Sequence, residues 1–238
     1  ALIPSSPSID RYPPVTSMTP ATLLFDLDGT LVNTDHLHYS AFQDLLGDFD
    51  RTMEWDVFER DVIGRANADI MAGLFPALSP AEQEQMAARK EALFRSKVQD
   101  LEPTQGLPDL LDFALARGIG CAVVTNAPRD NAMLLLKGLR LEARFEAVVI
   151  ADELPAQKPD PLPYLTGLRL LKGDARRALA FEDSRSGVTA AAAAGILTVG
   201  LTTSLGEAAL MEAGASLAVA DFKDPRLNAL IRDHLGVS

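Results

Sequence analysis

Cysteine is almost missing from this chain: Cys121 is the only one in 238 residues. A lone thiol cannot close an intramolecular disulfide, and the apolar run around it reads as a buried strand, so the expected compartment is a reducing cytoplasm. Long apolar runs are missing too. No stretch reaches the roughly 20 residues a bilayer-spanning helix needs, and the first residues lack the basic-then-apolar pattern of a secretion signal. Positive charge is scarce, with 22 Lys and Arg against 33 Asp and Glu and a formal net charge of −11. A surface this acidic repels a phosphate backbone, which excludes non-specific nucleic-acid binding; a small anionic substrate would need a local cation.

What remains is the composition of a globular protein with a packed core, 47% hydrophobic and 23% charged. The length suits one α/β domain carrying a smaller inserted one. Residues 1–20 hold Pro4, Pro7, Pro13, Pro14 and Pro20 and read as an extended tail with no assigned function. From Ala21 onward, short apolar runs alternate with helical patterns, the sequence form of a Rossmann-like parallel sheet with helices on both faces. Strands are expected over residues 22–25, 121–125, 147–150, 178–181, 198–200 and 217–219.

The segment from about residue 35 to 102 contains no convincing strand. Its clearest signal is Ser79-Pro80-Ala81-Glu82, a capping box with Pro at the first helical position, which predicts a long helix toward Lys97. The segment reads as an inserted α-helical cap, with residues 21–34 and 103–238 forming the core. An insertion after the first strand sits over the strands' carboxyl ends, where open α/β sheets bind ligands, and would act as a lid.

Four motifs carry chemistry. In Phe25-Asp26-Leu27-Asp28-Gly29-Thr30, strand alternation puts Asp26 and Asp28 on one side of a strand end. Two carboxylates so close need a cation between them or a shared proton. In Val123-Val124-Thr125-Asn126, a hydroxyl and an amide stand where a strand gives way to a helix, positions suited to contacting a phosphoryl oxygen. Lys158-Pro159-Asp160-Pro161 places a lysine on a stiff loop ahead of a helix start, supplying the cation that an acidic site lacks. Phe181-Glu182-Asp183-Ser184 offers hard oxygen ligands at another strand end, suited to Mg²⁺. The small-residue run after it, Ala190 to Gly195, reads as packing alone.

Taken in order, these motifs resemble the haloacid dehalogenase superfamily of phosphatases and phosphomutases. The position of the insertion is similar to the helical cap of the subgroup that holds β-phosphoglucomutase, phosphoglycolate phosphatase and related sugar-phosphate phosphatases. The resemblance implies Asp26 as nucleophile, Asp28 as general acid/base, Thr125 and Asn126 as phosphate contacts and Lys158 as the neutralising cation. It implies Mg²⁺ shared by the carboxylates of Asp26, Glu182 and Asp183 and the backbone carbonyl of Asp28. For Asp28 to act as an acid near neutral pH its pKa must be raised, and nearby carboxylates with desolvation under a closed cap are the expected cause.

In the cap, His38 stands where sugar-phosphate mutases of this subgroup carry a histidine near the hinge, and is a stronger candidate than His36. Val62-Ile63-Gly64-Arg65 resembles the loop that reaches substrate, with Gly64 at the turn and Arg65 as a clamp for a second phosphate or a carboxylate. Ile63 replaces a usual lysine of the β-phosphoglucomutase pattern and Asn67 a usual arginine, which disfavours mutase chemistry. Lys90 and Lys97 are the cap's lysines; neither is expected near Gly64, so a Schiff-base lysine is expected to be absent. Asp28 also argues against dehalogenation.

The function expected is hydrolysis of a small phosphorylated metabolite, a sugar phosphate foremost, through an aspartyl-phosphate. The alternatives are a β-phosphoglucomutase-like mutase and a catalytically idle binding protein. No membrane or nucleic-acid partner is expected, and the assembly expected is a monomer or weak homodimer.

Overall fold

The computed structural model describes residues 19–237, so most of the expected tail lies outside the described residues. Six apolar segments form one sheet: β1 Thr22–Phe25, β2 Gly120–Thr125, β3 Ala147–Ile150, β4 Ala178–Glu182, β5 Leu197–Leu201 and β6 Leu217–Val219. Every pairing is parallel, in the order β3-β2-β1-β4-β5-β6. All four residues of β1 are buried, as happens when helices cover both faces of a parallel sheet.

Alternation along the strands sorts the core into two layers. Leu23, Phe25, Val123 and Phe181 face α5 (Leu107–Ala116), α6 (Arg129–Gly138) and α10 (Pro225–Leu235). The rings of Phe25 and Phe181 stack there with centroids 4.8 Å apart. Leu24, Val124, Val149 and Ala180 face α7 (Leu162–Leu170) and α8 (Arg185–Ala193). Ala190 and Ala191 are buried in this second layer, in keeping with a packing role. A further helix, α9 (Glu207–Ala213), packs Leu210 against Val188 and Ala218.

Between β1 and β2 the chain forms α1 (Asp35–Gly47), α2 (Trp55–Asp61), α3 (Asn67–Leu74) and α4 (Pro80–Lys97). They bury an apolar cluster of their own, including Phe42, Leu45, Phe58, Ile70 and Phe75. At the start of α4 the capping box closes as its sequence predicts. Ser79 N donates to Glu82 Oε2 at 2.8 Å and Glu82 N to Ser79 Oγ at 3.4 Å. Near the far end of α4, Phe94 leaves the cap cluster and joins the main core beside Leu31 and Ala41, which ties α4 and α1 to the sheet.

In this strand order β1 lies between β2 and β4, and the chain connections leave it toward opposite sides. The carboxyl ends of these strands therefore border a crevice, the place where open α/β sheets hold ligands.

Candidate active site

The carboxyl ends of β1, β2 and β4 deliver Asp26, Thr125 and Glu182 to that crevice, and Lys158 reaches it from the loop before α7. Asp26 N donates to the Phe181 carbonyl at 2.9 Å, continuing the ladder one residue past β1 and fixing where this side chain starts. Lys158 Nζ spends its three protons on Asp26 Oδ1 at 2.6 Å, Glu182 Oε1 at 2.6 Å and the Val124 carbonyl at 2.7 Å. Its loop is held by Asn126, whose Oδ1 accepts from Lys158 N at 3.3 Å and whose Nδ2 donates to the Lys158 carbonyl at 3.4 Å. Thr125 is buried, and its Oγ1 accepts from Ala127 N at 2.9 Å, which shapes the turn after β2.

Asp26, Glu182 and Asp183 each offer a carboxylate oxygen within 4.8 Å of the other two, and all are buried. Three buried carboxylates face one ammonium. Burial pushes the Asp26 carboxyl up to about 8, with Glu182 and Asp28 adding to the rise and Lys158 opposing it. Burial, with the charges of Asp26 and Glu182, drives Asp183 well above the usual carboxylate range. Burial alone would lower Lys158, but Asp26 and Glu182 override it and hold the ammonium charged. Closely spaced hard oxygens in excess of their cations suit a divalent metal ion. Glu182 Oε1 accepts from Lys158 and from the Tyr164 hydroxyl, both at 2.6 Å, whereas Oε2 accepts only a longer bond from Ser184 Oγ at 3.3 Å and is the oxygen better placed for a metal.

Asp28 behaves differently from the sequence expectation. Burial works upward on its pKa, but hydrogen bonds from His38 and Thr34 and the nearby Lys90 charge outweigh it and hold Asp28 below its ordinary value. Thr34 Oγ1 donates to Asp28 Oδ1 at 2.6 Å, and His38 Nε2 lies 3.2 Å from the same oxygen. Lys90 Nζ is 2.8 Å from His38 Nδ1. An ammonium can only donate, so Nδ1 accepts and Nε2 carries the proton pointed at Asp28. The His38 ring stacks on Phe94 at 3.9 Å, which locks its plane. His36, in contrast, is exposed.

Lys90 also corrects the sequence reading, because it lines the same cleft as Gly64 despite their separation along the chain. The loop at Gly64 rests on the start of α8. Ser186 Oγ donates to the Gly64 carbonyl, and a Cβ at this left-handed position would lie 2.4 Å from Ser184 Cβ. Arg65 borders the cleft, but it is exposed and its NH1 donates back to the Asp61 carbonyl at 3.2 Å. The cleft between cap and core encloses about 100 Å³ and brings together Asp26, Asp28, His38, Thr125, Asn126, Lys158 and Asp183. Sequence reasoning missed Thr34, Tyr164 and Glu91, and read Lys90 only as a remote lysine. None of the four belongs to a strand-end motif.

A family model for haloacid dehalogenase-like hydrolases matches residues 23–201. The chain belongs to that family. Within it, a phosphorylated carbohydrates phosphatase of Thermotoga maritima is 30% identical over 200 residues, 81% of this chain and 91% of that protein. Phosphoglycolate phosphatase 1 of Pseudomonas aeruginosa is 32% identical over 191 residues, 77% of this chain and 70% of that protein. Among solved structures, β-phosphoglucomutase from Clostridium difficile superposes with a TM-score of 0.79 at 20% identity, covering 91% of this chain and 97% of that one. That likeness is one of fold: a haloacid dehalogenase sheet with a helical cap. Among the described residues no helix is long and apolar enough to cross a membrane.

Proposed function

We propose that the protein is a Mg²⁺-dependent phosphatase of the haloacid dehalogenase family that hydrolyses a small sugar phosphate through an aspartyl-phosphate on Asp26. The observation that carries this reading is the buried Asp26–Lys158–Glu182 arrangement beside Asp183. One oxygen of Asp26 is anchored to Lys158, and the other carries no hydrogen bond among the described residues. Asp26, Asp183 and Glu182 through its Oε2, with the Asp28 backbone carbonyl, would hold the metal, which would supply charge neutralisation for the phosphoryl group.

The free oxygen of Asp26 attacks phosphorus as the ester oxygen departs, leaving the phosphoryl group on Asp26. Thr125 and Asn126 orient the phosphoryl oxygens, and the lid excludes bulk water. Asp28 gives a proton to the departing oxygen, then takes one from the water that hydrolyses the aspartyl-phosphate. In the arrangement seen here His38 and Thr34 favour the Asp28 carboxylate, the base form. The negative charge of an incoming phosphate opposes this and raises the Asp28 pKa for the acid step.

A mutase is the second reading, favoured by the Asp28–His38–Lys90 chain, which would serve a sugar hydroxyl as readily as a water. Ile63 and Asn67 lend the cap no cation for holding a second phosphate, and for that reason hydrolysis leads. The enzyme acts in the cytoplasm as a monomer or weak homodimer in this proposal; burial pushes the Cys121 thiol up to about 12, so it stays protonated and takes no part in the chemistry. The test is a panel of phosphorylated metabolites assayed with and without Mg²⁺, scoring phosphate release against isomer formation. Mg²⁺-dependent release is the expected result; no turnover of any ester would support an idle scaffold instead. The names of the relatives span carbohydrate phosphates and phosphoglycolate, so kinship leaves the leaving group open.

A further inference from the structure

The cap side of the cleft, where the leaving group of an ester would lie, is bordered by His38, Ile63, Arg65, Asn67, Lys90 and Glu91. Lys90 is buried there, but its charge is spoken for. Its Nζ lies 3.0 Å from Glu91 Oε1 and 2.8 Å from His38 Nδ1, with the Phe42 ring centroid 4.8 Å away. Glu91 is only 5% exposed and is held from both sides of the cleft. Asn67 Nδ2 donates to its Oε1 at 2.8 Å from the cap, and Asn131 Nδ2 donates to its Oε2 at 2.6 Å from core helix α6. Asn131 is oriented in turn by Arg95 NH1, 2.9 Å from its Oδ1. Burial works against the Glu91 charge, but Lys90, Asn67 and their neighbours outweigh it and hold the carboxyl below its usual range. The pocket therefore keeps a fixed, ionised carboxylate.

Lys90 is committed to Glu91 and His38, which leaves its charge unavailable to a ligand, while the Glu91 carboxylate still borders the cleft. Arg65 is exposed and turned toward Asp61, and Ile63 contributes no charge. A second phosphate or a carboxylate on the leaving group would lose its water beside Glu91 and find no unpaired buried cation. A hydroxyl fits the same place. It can donate to Asn67 Oδ1, which accepts no hydrogen bond among the described residues, or accept from the second amide hydrogen of the same side chain.

We infer that the enzyme selects phosphomonoesters whose leaving group is uncharged and hydroxylated, and that Glu91 enforces the choice by repelling a second anionic group. The inference rests on the phosphatase reading and names its substrate class. A control separates the two: turnover of p-nitrophenyl phosphate by the full chain with Mg²⁺ reports whether the catalytic machinery works at all. On that footing kcat/KM is compared for glycerol phosphate and sorbitol phosphate against phosphoglycolate and fructose bisphosphate. The polyol esters should lead each anionic ester by about tenfold or more, the size expected of one like charge near the bound group. Glu91→Gln keeps the side chain's shape and should narrow that ratio by about tenfold, chiefly through a lower KM for the anionic esters.

A purely structural role for Glu91 would depress all substrates together and leave the ratio unmoved. If Glu91→Gln does not fold, Ile63→Lys adds an unpaired cation to the same pocket and should narrow the ratio in the same direction. Wild-type preference for phosphoglycolate or the bisphosphate overturns the inference, as does an unchanged ratio in the folded variant. Failure to cleave even p-nitrophenyl phosphate refutes the phosphatase reading, and the inference falls with it.

Discussion

Replacing Lys158 with methionine removes one buried cation and three hydrogen bonds while keeping most of the side chain's volume. The side chains of Lys158 and Glu182 are 3% and 0% exposed, and their Nζ–Oε1 separation is 2.6 Å. Without the ammonium, Glu182 keeps only the hydroxyls of Tyr164 and Ser184, and Asp26 loses its anchor. Breaking a buried ion pair from one side costs about 3–5 kcal/mol. For a domain of this size each kcal/mol moves the melting temperature by about 2–4 °C, so the metal-free variant should melt roughly 6–20 °C below wild type near pH 8. Protonation can relieve the orphaned carboxylates, so the deficit should shrink as the pH falls toward about 5. Thermal unfolding followed by circular dichroism in chelator gives the readout, and Lys158→Met combined with Glu182→Gln should recover stability while remaining inactive. A deficit under about 1 kcal/mol near pH 8, or one that does not change with pH, would refute this account of the site's electrostatics.

Three further expectations concern the same cleft. Tyr164→Phe deletes a 2.6 Å charge-assisted hydrogen bond to buried Glu182 and should cost about 1.5–3 kcal/mol in chemical denaturation; no loss would mean Glu182 does not depend on it. Gly64→Ala puts a Cβ against Ser184 at a left-handed position, costing about 1–2 kcal/mol of backbone strain and lifting the cap loop from α8, so KM should rise several-fold; an unchanged KM counts against this closure contact. Asp26 binds its proton more tightly in the folded state, near 8, than its ordinary value of 3.8. Between those values the folded protein holds protons the unfolded chain lacks, so metal-free stability should fall as pH rises through that window. Mg²⁺ must displace those protons, so its affinity by calorimetry should tighten with rising pH over the same range, and a flat profile would contradict the shift.

The strands were legible in the sequence because each is a short apolar run ended by a polar turn. The segments at 22–25, 147–150 and 217–219 match the observed bounds, and the other three differ by a residue or two at their ends. Asp26, Thr125, Glu182 and Asp183 converge because a parallel sheet brings all its carboxyl ends to one edge, and Lys158 joins them from the loop between β3 and α7. The cap was legible as helical, and α4 follows directly from its capping box. Side-chain partnerships within it were not, since periodicity says which face is buried but not what lies opposite. Lys90 meets His38 across 52 residues, and Glu91 meets Asn131 across 40, through the packing of α4 on α1 and on the core. The sign of the Asp28 shift was misread for the same reason. Its donors His38 and Thr34 sit on or beside α1, a helix whose direction the sequence leaves open.

Asp26 is the proposed nucleophile, and Asp26→Asn removes it. Asparagine keeps the shape, removes one of three crowded buried carboxylates and cannot accept a phosphoryl group in the same way. The variant should fold, melt at or above the wild-type temperature without metal, and show no Mg²⁺-dependent release of phosphate. Wild-type turnover by Asp26→Asn would contradict that role for Asp26.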